Sequence, residues 1–324
     1  MKLGNKIAAS TATAALALGG LTLMATPAQA GLVTLCSGHG GAVTLPTDLK
    51  VPAGASCFLD GTSIKGDVTV EGGANLHIIG GSIEGEVSVA DDAYFDASDS
   101  VVDGDVVSDG AYGTYLEDGT SVAALRAQAA EGAANDGFTF VVDSSAASVD
   151  ATAGELYING SRVAGPVNAD GAVYADIYDS VVRGALTVAG TEQGGILCDS
   201  EVLGDATYRD ASGPVAVGAG DNDTYCASLN YIDGDLSVTG ISGGAYIDGN
   251  IVGGDLVAEN NTPTAQIGDN NRVRGSVITQ EVAMRALAAE VTADFEAHEA
   301  ELEDQVEEAR AKTIEEAMEA GPAF

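Results

Sequence analysis

Apolar positions along this chain alternate in short bursts. Val68 and Val70, Val87 and Val89, Leu186 and Val188, and Leu236 and Val238 each bracket one residue of a different kind. A period of two marks strands with one buried face. A second apolar run follows within each unit, at Leu76-His77-Ile78, Tyr94-Phe95, Leu156-Tyr157-Ile158, Val173-Tyr174-Ala175, Ile196-Leu197 and Tyr246-Ile247. Gly, Asn, Asp and Ser separate the runs, as a chain needs when it turns often and through positive φ.

The bursts belong to a repeat. Ser63-Ile64-Lys65-Gly66-Asp67-Val68-Thr69-Val70 is rewritten 19 residues later as Ser82-Ile83-Glu84-Gly85-Glu86-Val87-Ser88-Val89. The anchor glycines stand at 66, 85, 104, 165, 184, 204, 234, 254 and 275. The gap of 61 between Gly104 and Gly165 equals about three steps and holds weaker copies at Ser121–Leu125 and Val142–Ser145. The gap of 30 after Gly204 is one step plus an insertion, and Gly41–Leu45 is a poorer first copy. An antiparallel sandwich also has regular turns, but needs no residue identity at a fixed phase. Here Ser or Asn, a β-branched residue and Gly keep phase, which predicts coils that stack and share one core. The expected fold is all-β: one parallel β-helix over 31–279, right-handed by preference, with about twelve coils of roughly 20 residues.

Both ends depart from the repeat. Residues 1–30 carry Lys2 and Lys6, an apolar stretch from Ile7 to Met24, and Ala28-Gln29-Ala30, the pattern of a signal peptide cleaved near Ala30. No further run is long enough to span a bilayer. The expected protein is secreted or held at the cell surface. Pro46 and Pro52 mark an irregular first turn over 31–60. Residues 119–136 are alanine-rich and read either as a short helix or as a degraded coil with a loop.

After Thr279 the period changes. Residues 281–320 lack Gly and Pro, hold 13 acids against 3 bases, and place Leu287, Val291, Phe295, Leu302, Val306 and Met318 on an approximate helical stripe. One reading of this acidic segment, 280–324, is a helical lid laying Leu287, Val291 and Phe295 over the last coil. The other is a coiled-coil or partner helix.

Charge narrows the function. The chain carries 13 basic and 49 acidic residues, a net −36. Such a balance argues against binding nucleic acid or an anionic membrane surface, which requires Lys and Arg. It suits a salty medium, where screening relieves self-repulsion. Four cysteines in an exported chain imply two disulfides. Cys36 and Cys57 lie one coil apart, and Cys198 and Cys226 one coil plus most of the insertion apart, so these are the expected pairs.

Candidate chemistry is sparse. His39, His77 and His298 are scattered, with His77 expected to point outward from its strand. There is no Ser-His-Asp order, zinc spacing or phosphate loop. The residues after the anchor glycines form an acidic row, including Asp67, Glu86 and Asp105 and later Asp205, Asp235 and Asp255. The row is either solvated or bridged by a cation such as Ca2+. Asp221 and Asp223 place oxygen ligands two apart in the inserted loop, a weaker Ca2+ candidate. No other cofactor is implied.

The phrase running from Ile64 to Val70, and again from Ile232 to Val238, resembles the repeat of bactofilins, polymer-forming bacterial β-helix proteins. The likeness covers roughly 61–279 and implies self-association. The coil is also similar to right-handed β-helices of the pectate-lyase and adhesin kind, though no lyase arginine–aspartate constellation maps onto it. The favoured expectation is a non-enzymatic structural or adhesion rod. Its partners would be itself, a cell-wall or matrix polysaccharide, or another surface protein. The alternative is a polysaccharide lyase or hydrolase, which would gather carboxylates with Arg183 or Arg209 in a groove.

Overall fold

In the computed structural model, residues 32–130, 137–218, 226–280 and 295–324 are described, with helix side chains described from Leu302 onward. The putting together of short strands by the repeat is visible in one coil. Asn75–Ile79 forms a strand, the chain turns at Gly80-Gly81, Ser82–Ile83 pairs briefly, the chain bends at Glu84–Glu86, and Val87–Val89 completes the circuit. Stacked coils join the longer strands into a twelve-stranded sheet and the two shorter strands into a 23-stranded sheet. Neighbouring coils pair in parallel, giving a β-solenoid of about twelve turns. At about 4.8 Å per coil the rod is roughly 55 Å long.

Register follows the repeat. Val87 pairs with Val68 on one side and Val106 on the other, and all three are fully buried. The same inward row starts at Leu49 and continues through Leu125, Val149, Val167, Leu186, Ala206, Leu236 and Leu256. It ends at Val277, which is 53 % exposed. The inserted residues before Asn230 do not shift it, because Glu201 still pairs with Tyr231.

A buried polar row runs beside the apolar one. Asp99, Asp143, Asp179 and Asp199 adopt left-handed φ at the same turn, and the serine after each faces inward. The amides of Ser144, Ser161 and Ser180 donate to the hydroxyls of Ser161, Ser180 and Ser200 in the next coil. Asparagine then takes over: Ser200 N donates to Asn230, and Asn230 Nδ2 donates to Asn250. From Ser100 onward this row gives the Ser/Asn positions of the repeat their physical cause, since each buried turn amide needs an acceptor. Ser63 and Ser82 instead stand one residue later, in register with Val101, and Thr62 and Gly81 hold the row's place in their coils.

Where the repeat decays, the two short strands merge. Ser121–Gln128 and Ser145–Ala151, which lack the glycine, are each one continuous strand that follows the corner, pairing with both short strands of a neighbouring coil. The alanine-rich stretch is therefore extended up to Gln128 and not helical there, and 131–136 lie outside the described residues. The first coil is more regular than its prolines suggest, with strands from Val33 onward and Pro46 and Pro52 in the connections. Both disulfides form as expected, with Cα–Cα distances of 5.6 Å for Cys36–Cys57 and 5.2 Å for Cys198–Cys226. Residues 1–30, read from sequence as a signal peptide, lie outside the described residues.

The helix spans Phe295–Ala320 and ends at Gly321, whose φ of 88° suits glycine, followed by Pro322. Its described part is no lid over the last coil. Leu302 and Val306 join one buried cluster with Tyr94, Phe138, Phe140, Tyr157 and Tyr174 of the twelve-stranded sheet, and the helix continues to the first coils. There His39 N donates to Gly321 O at 2.9 Å and Ala323 N donates to His39 O at 2.8 Å. The C-terminus thus adds a rung to the opening edge of the sheet. The reason is apolar matching: Leu302, Val306, Thr313 and Ala317 are buried on one stripe, whereas Met318 is 53 % exposed. Leu287 and Val291 lie outside the described residues, as does the side chain of Phe295.

Candidate functional site under the C-terminal helix

The outer face of the twelve-stranded sheet carries one row of side chains, in register from His39 through Phe58, His77, Asp96, Tyr115, Phe140 and Tyr157 to Asp176. Alternation along each strand sends the flanking residues, such as Leu76 and Ile78, into the core. The helix roofs this row. Arg310 reaches down between its turns and forks onto Asp96, with Nε–Oδ2 at 2.8 Å and Nη2–Oδ1 at 3.0 Å. Its Nη2 also lies 2.5 Å from Glu117 Oε1, and its guanidinium carbon sits 5.2 Å from the Tyr115 ring centroid. Tyr94 donates its hydroxyl to Asp96 Oδ2 at 2.9 Å. Asp96 is fully buried, so this fork–fork pairing supplies the partners its charge requires.

His77 does point away from the solenoid core, as expected, but the helix buries it to 1 % exposure. Its Nε2 is 3.9 Å from Asp96 Oδ1, and the Phe58 ring meets it edge-on at 5.4 Å. Burial holds the imidazole below its usual pKa against the upward pull of Asp96, and Arg310 adds to the lowering. Burial also pushes the Tyr94 hydroxyl well above its usual range, with Asp96 reinforcing the shift.

Beside Arg310 the helix lifts from the sheet over a cavity of about 280 Å³. Tyr115, Phe140 and Tyr157 form its floor, and Glu117, Asn159, Glu303 and Glu307 stand at its rim. Asn159 Nδ2 donates to the Tyr157 hydroxyl at 3.0 Å.

The acidic row lies elsewhere, at the corner of the 23-stranded sheet, and has a structural use. Asp67 Oδ1 accepts the amide of Glu86 at 2.9 Å, and Asp105 Oδ1 accepts the amide of Ala124 at 3.0 Å. Asp205 and Asp235 do the same for Asp235 N and Asp255 N. Glu86 is different: its carboxylate takes the Ser88 hydroxyl at 3.2 Å. Asp67, Asp205 and Asp235 each occupy the place where a side chain on the next anchor glycine would go, whereas the next coil after Asp105 has Ala123 at that position. A Cβ on Gly85 would lie 2.2 Å from Asp67 Oδ1 and 2.6 Å from Gly66 O. The Gly-Asp pairing in the sequence is thus one interlocking device. Among the described residues, no three His, Cys, Asp or Glu side chains gather as a metal-binding group. Asp221 and Asp223 lie outside the described residues.

Arg183 and Arg209 do not meet in a groove with convergent carboxylates. Arg183 is exposed at a corner, and Arg209 pairs at the surface with Asp170 and Asp210. The Arg310–Asp96 junction escaped sequence reading, although a signal for it existed: Leu302, Val306 and Arg310 are spaced by four, and Arg310 is a rare base on an acidic helix.

Comparisons of the chain with protein-family models, with curated proteins and with solved structures each return no match.

Proposed function

We propose that this protein is an exported, non-enzymatic rod that serves a structural or adhesive role at the cell surface. The observation that carries the reading is the unbroken stack of about twelve coils, stapled across neighbouring coils by Cys36–Cys57 and Cys198–Cys226. Disulfides of this kind persist in an oxidising, extracellular compartment. Among the described residues no helix is long and apolar enough to cross a membrane. The cavity under the helix supports contact with a matrix or cell-wall polysaccharide, since aromatic surface with a few polar groups at its rim is what such ligands require. Self-association through the coil ends is the partner mode that the bactofilin-like phrase implies.

The test uses the full chain expressed in a host that exports it. The recovered protein should begin after Ala30, co-sediment with an insoluble polysaccharide such as cellulose, chitin or peptidoglycan, and lose that binding in Tyr157→Ala. Release of new reducing ends or unsaturated uronates from a soluble polysaccharide would replace this reading with the enzymatic one.

A further inference from the structure

Neither ring nitrogen of His77 has a hydrogen-bond partner among the described residues, although the side chain is 1 % exposed. A neutral imidazole holds one donor and one acceptor, and native folds seldom bury both unpaired without a reason. Its charged and titratable surroundings come from two elements. The sheet contributes Asp96 at 3.9 Å, Tyr94 bonded to that carboxylate, and Glu117 beyond it. The helix contributes Arg310, which occupies both oxygens of Asp96. Nearer the first coil, Glu316 of the helix takes the Ser56 hydroxyl at 2.6 Å.

We propose that His77 is the proton sensor of a latch, and that its protonation frees the C-terminal helix from the sheet. An imidazolium at this place has one charged acceptor beside it, Asp96 Oδ1, which at 3.9 Å lies beyond hydrogen-bond reach and is held where it stands by Arg310 Nη2. The new charge is satisfied by drawing Asp96 away from Arg310 or by lifting the helix to admit water. Either route loosens the only guanidinium fork that ties the described part of the helix to the sheet. The proton thus binds the open state better, which is the condition for shifting the balance between two states. Opening removes Leu302 and Val306 from the cavity, bares Phe140 and Tyr157, and frees the strand edge at His39 that the tail now pairs. The latch stands whether or not the cavity takes a saccharide, because it rests on the helix contacts alone.

Hydrogen exchange of residues 302–320, read by mass spectrometry in the full chain and corrected for intrinsic rate, tests this at pH 7.5 and pH 5.5. Each pKa unit separating the open and closed states is worth a ten-fold change in opening. The parent should exchange several-fold faster at pH 5.5, up to about ten-fold because that pH lies one unit below the ordinary histidine pKa an opened state would regain, with a parallel rise in fluorescence of a dye that binds apolar surface. His77→Phe and His77→Gln should both abolish the rise, the first keeping a ring against Phe58 and the second a polar side chain. His298→Gln, the control variant, should keep it. An unchanged parent, a rise that survives in both His77 variants, or a rise lost in a control variant would overturn the assignment.

Discussion

Arg310 and Asp96 are 214 residues apart in sequence and join through two hydrogen bonds of 2.8 and 3.0 Å, binding the helix to the fourth strand of the twelve-stranded sheet, Tyr94–Ser98. Asp96 is fully buried and Arg310 a quarter exposed, so the carboxylate depends on the arginine more than the reverse. Arg310→Met should leave an uncompensated buried charge and cost about 3–5 kcal/mol in the helix–sheet contact. Arg310→Lys keeps the charge but loses the fork, and should fall between. Chemical denaturation and the rate of tryptic cleavage at Lys312 measure both effects. A variant as resistant as the parent would show that the apolar stripe alone holds the helix.

Tyr94 gives an alkaline prediction. Its folded pKa is raised by burial and by Asp96, so the unfolded chain ionises first, near pH 10. The contribution is fully present below that value and is lost as pH rises from about 10 toward the folded pKa. Tyr94→Phe loses the hydrogen bond to Asp96 and should be less stable at pH 8, but should flatten the decline between pH 9.5 and 11. Denaturation midpoints across that range decide the matter. Parallel curves for parent and variant would mean that other groups set the alkaline limit.

Much of this fold is legible in the sequence because its contacts recur at one step. A coil meets its neighbours about 20 residues away, so Val68, Val87 and Val106 announce their stacking by phase, and Cys36 and Cys57 their bond. The helix does not follow the step. Its seat depends on which outward row carries Asp96 and aromatic rings, a matter of three-dimensional matching that no period encodes. The acidic row shows a subtler loss: Gly85 and Glu86 were visible, but that Asp67 reaches across to the Glu86 amide depends on how two coils sit on each other. The continuous strand at Ser121–Gln128 is ambiguous in sequence because alanine propensity and strand register point opposite ways there.

The core row makes a prediction of phase. Val87 is fully buried between Val68 and Val106, while Ser88 on the same strand is only partly covered. Val87→Asp should cost several kcal/mol by burying an unpaired charge. Ser88→Asp should stay within about 0.5 kcal/mol, as surface changes usually do. Thermal melting of the two variants side by side is sufficient. Equal melting points would mean that the strand faces the other way.

The corner row yields the last prediction, because two uses of one carboxylate compete there. Asp67 Oδ1 takes the Glu86 amide, so Asp67→Ala should lose about 1 kcal/mol, the net worth of one hydrogen bond. Asp67→Asn keeps an acceptor oxygen and should lose less. Gly85→Ala drives a methyl into Asp67 Oδ1 and Gly66 O, and should cost about 1–3 kcal/mol as overpacking does. The double variant Gly85→Ala/Asp67→Ala should recover only part of this, since the carbonyl of Gly66 remains in the way. Salt separates the interlock from a cation site. If the row is an interlock carrying like charges, sodium chloride should raise the melting temperature by screening, and calcium at matched ionic strength should add nothing. A calcium-specific rise of several degrees that vanishes in Glu86→Gln would instead mark a bound cation, since a ligand stabilises in proportion to its preference for the folded state.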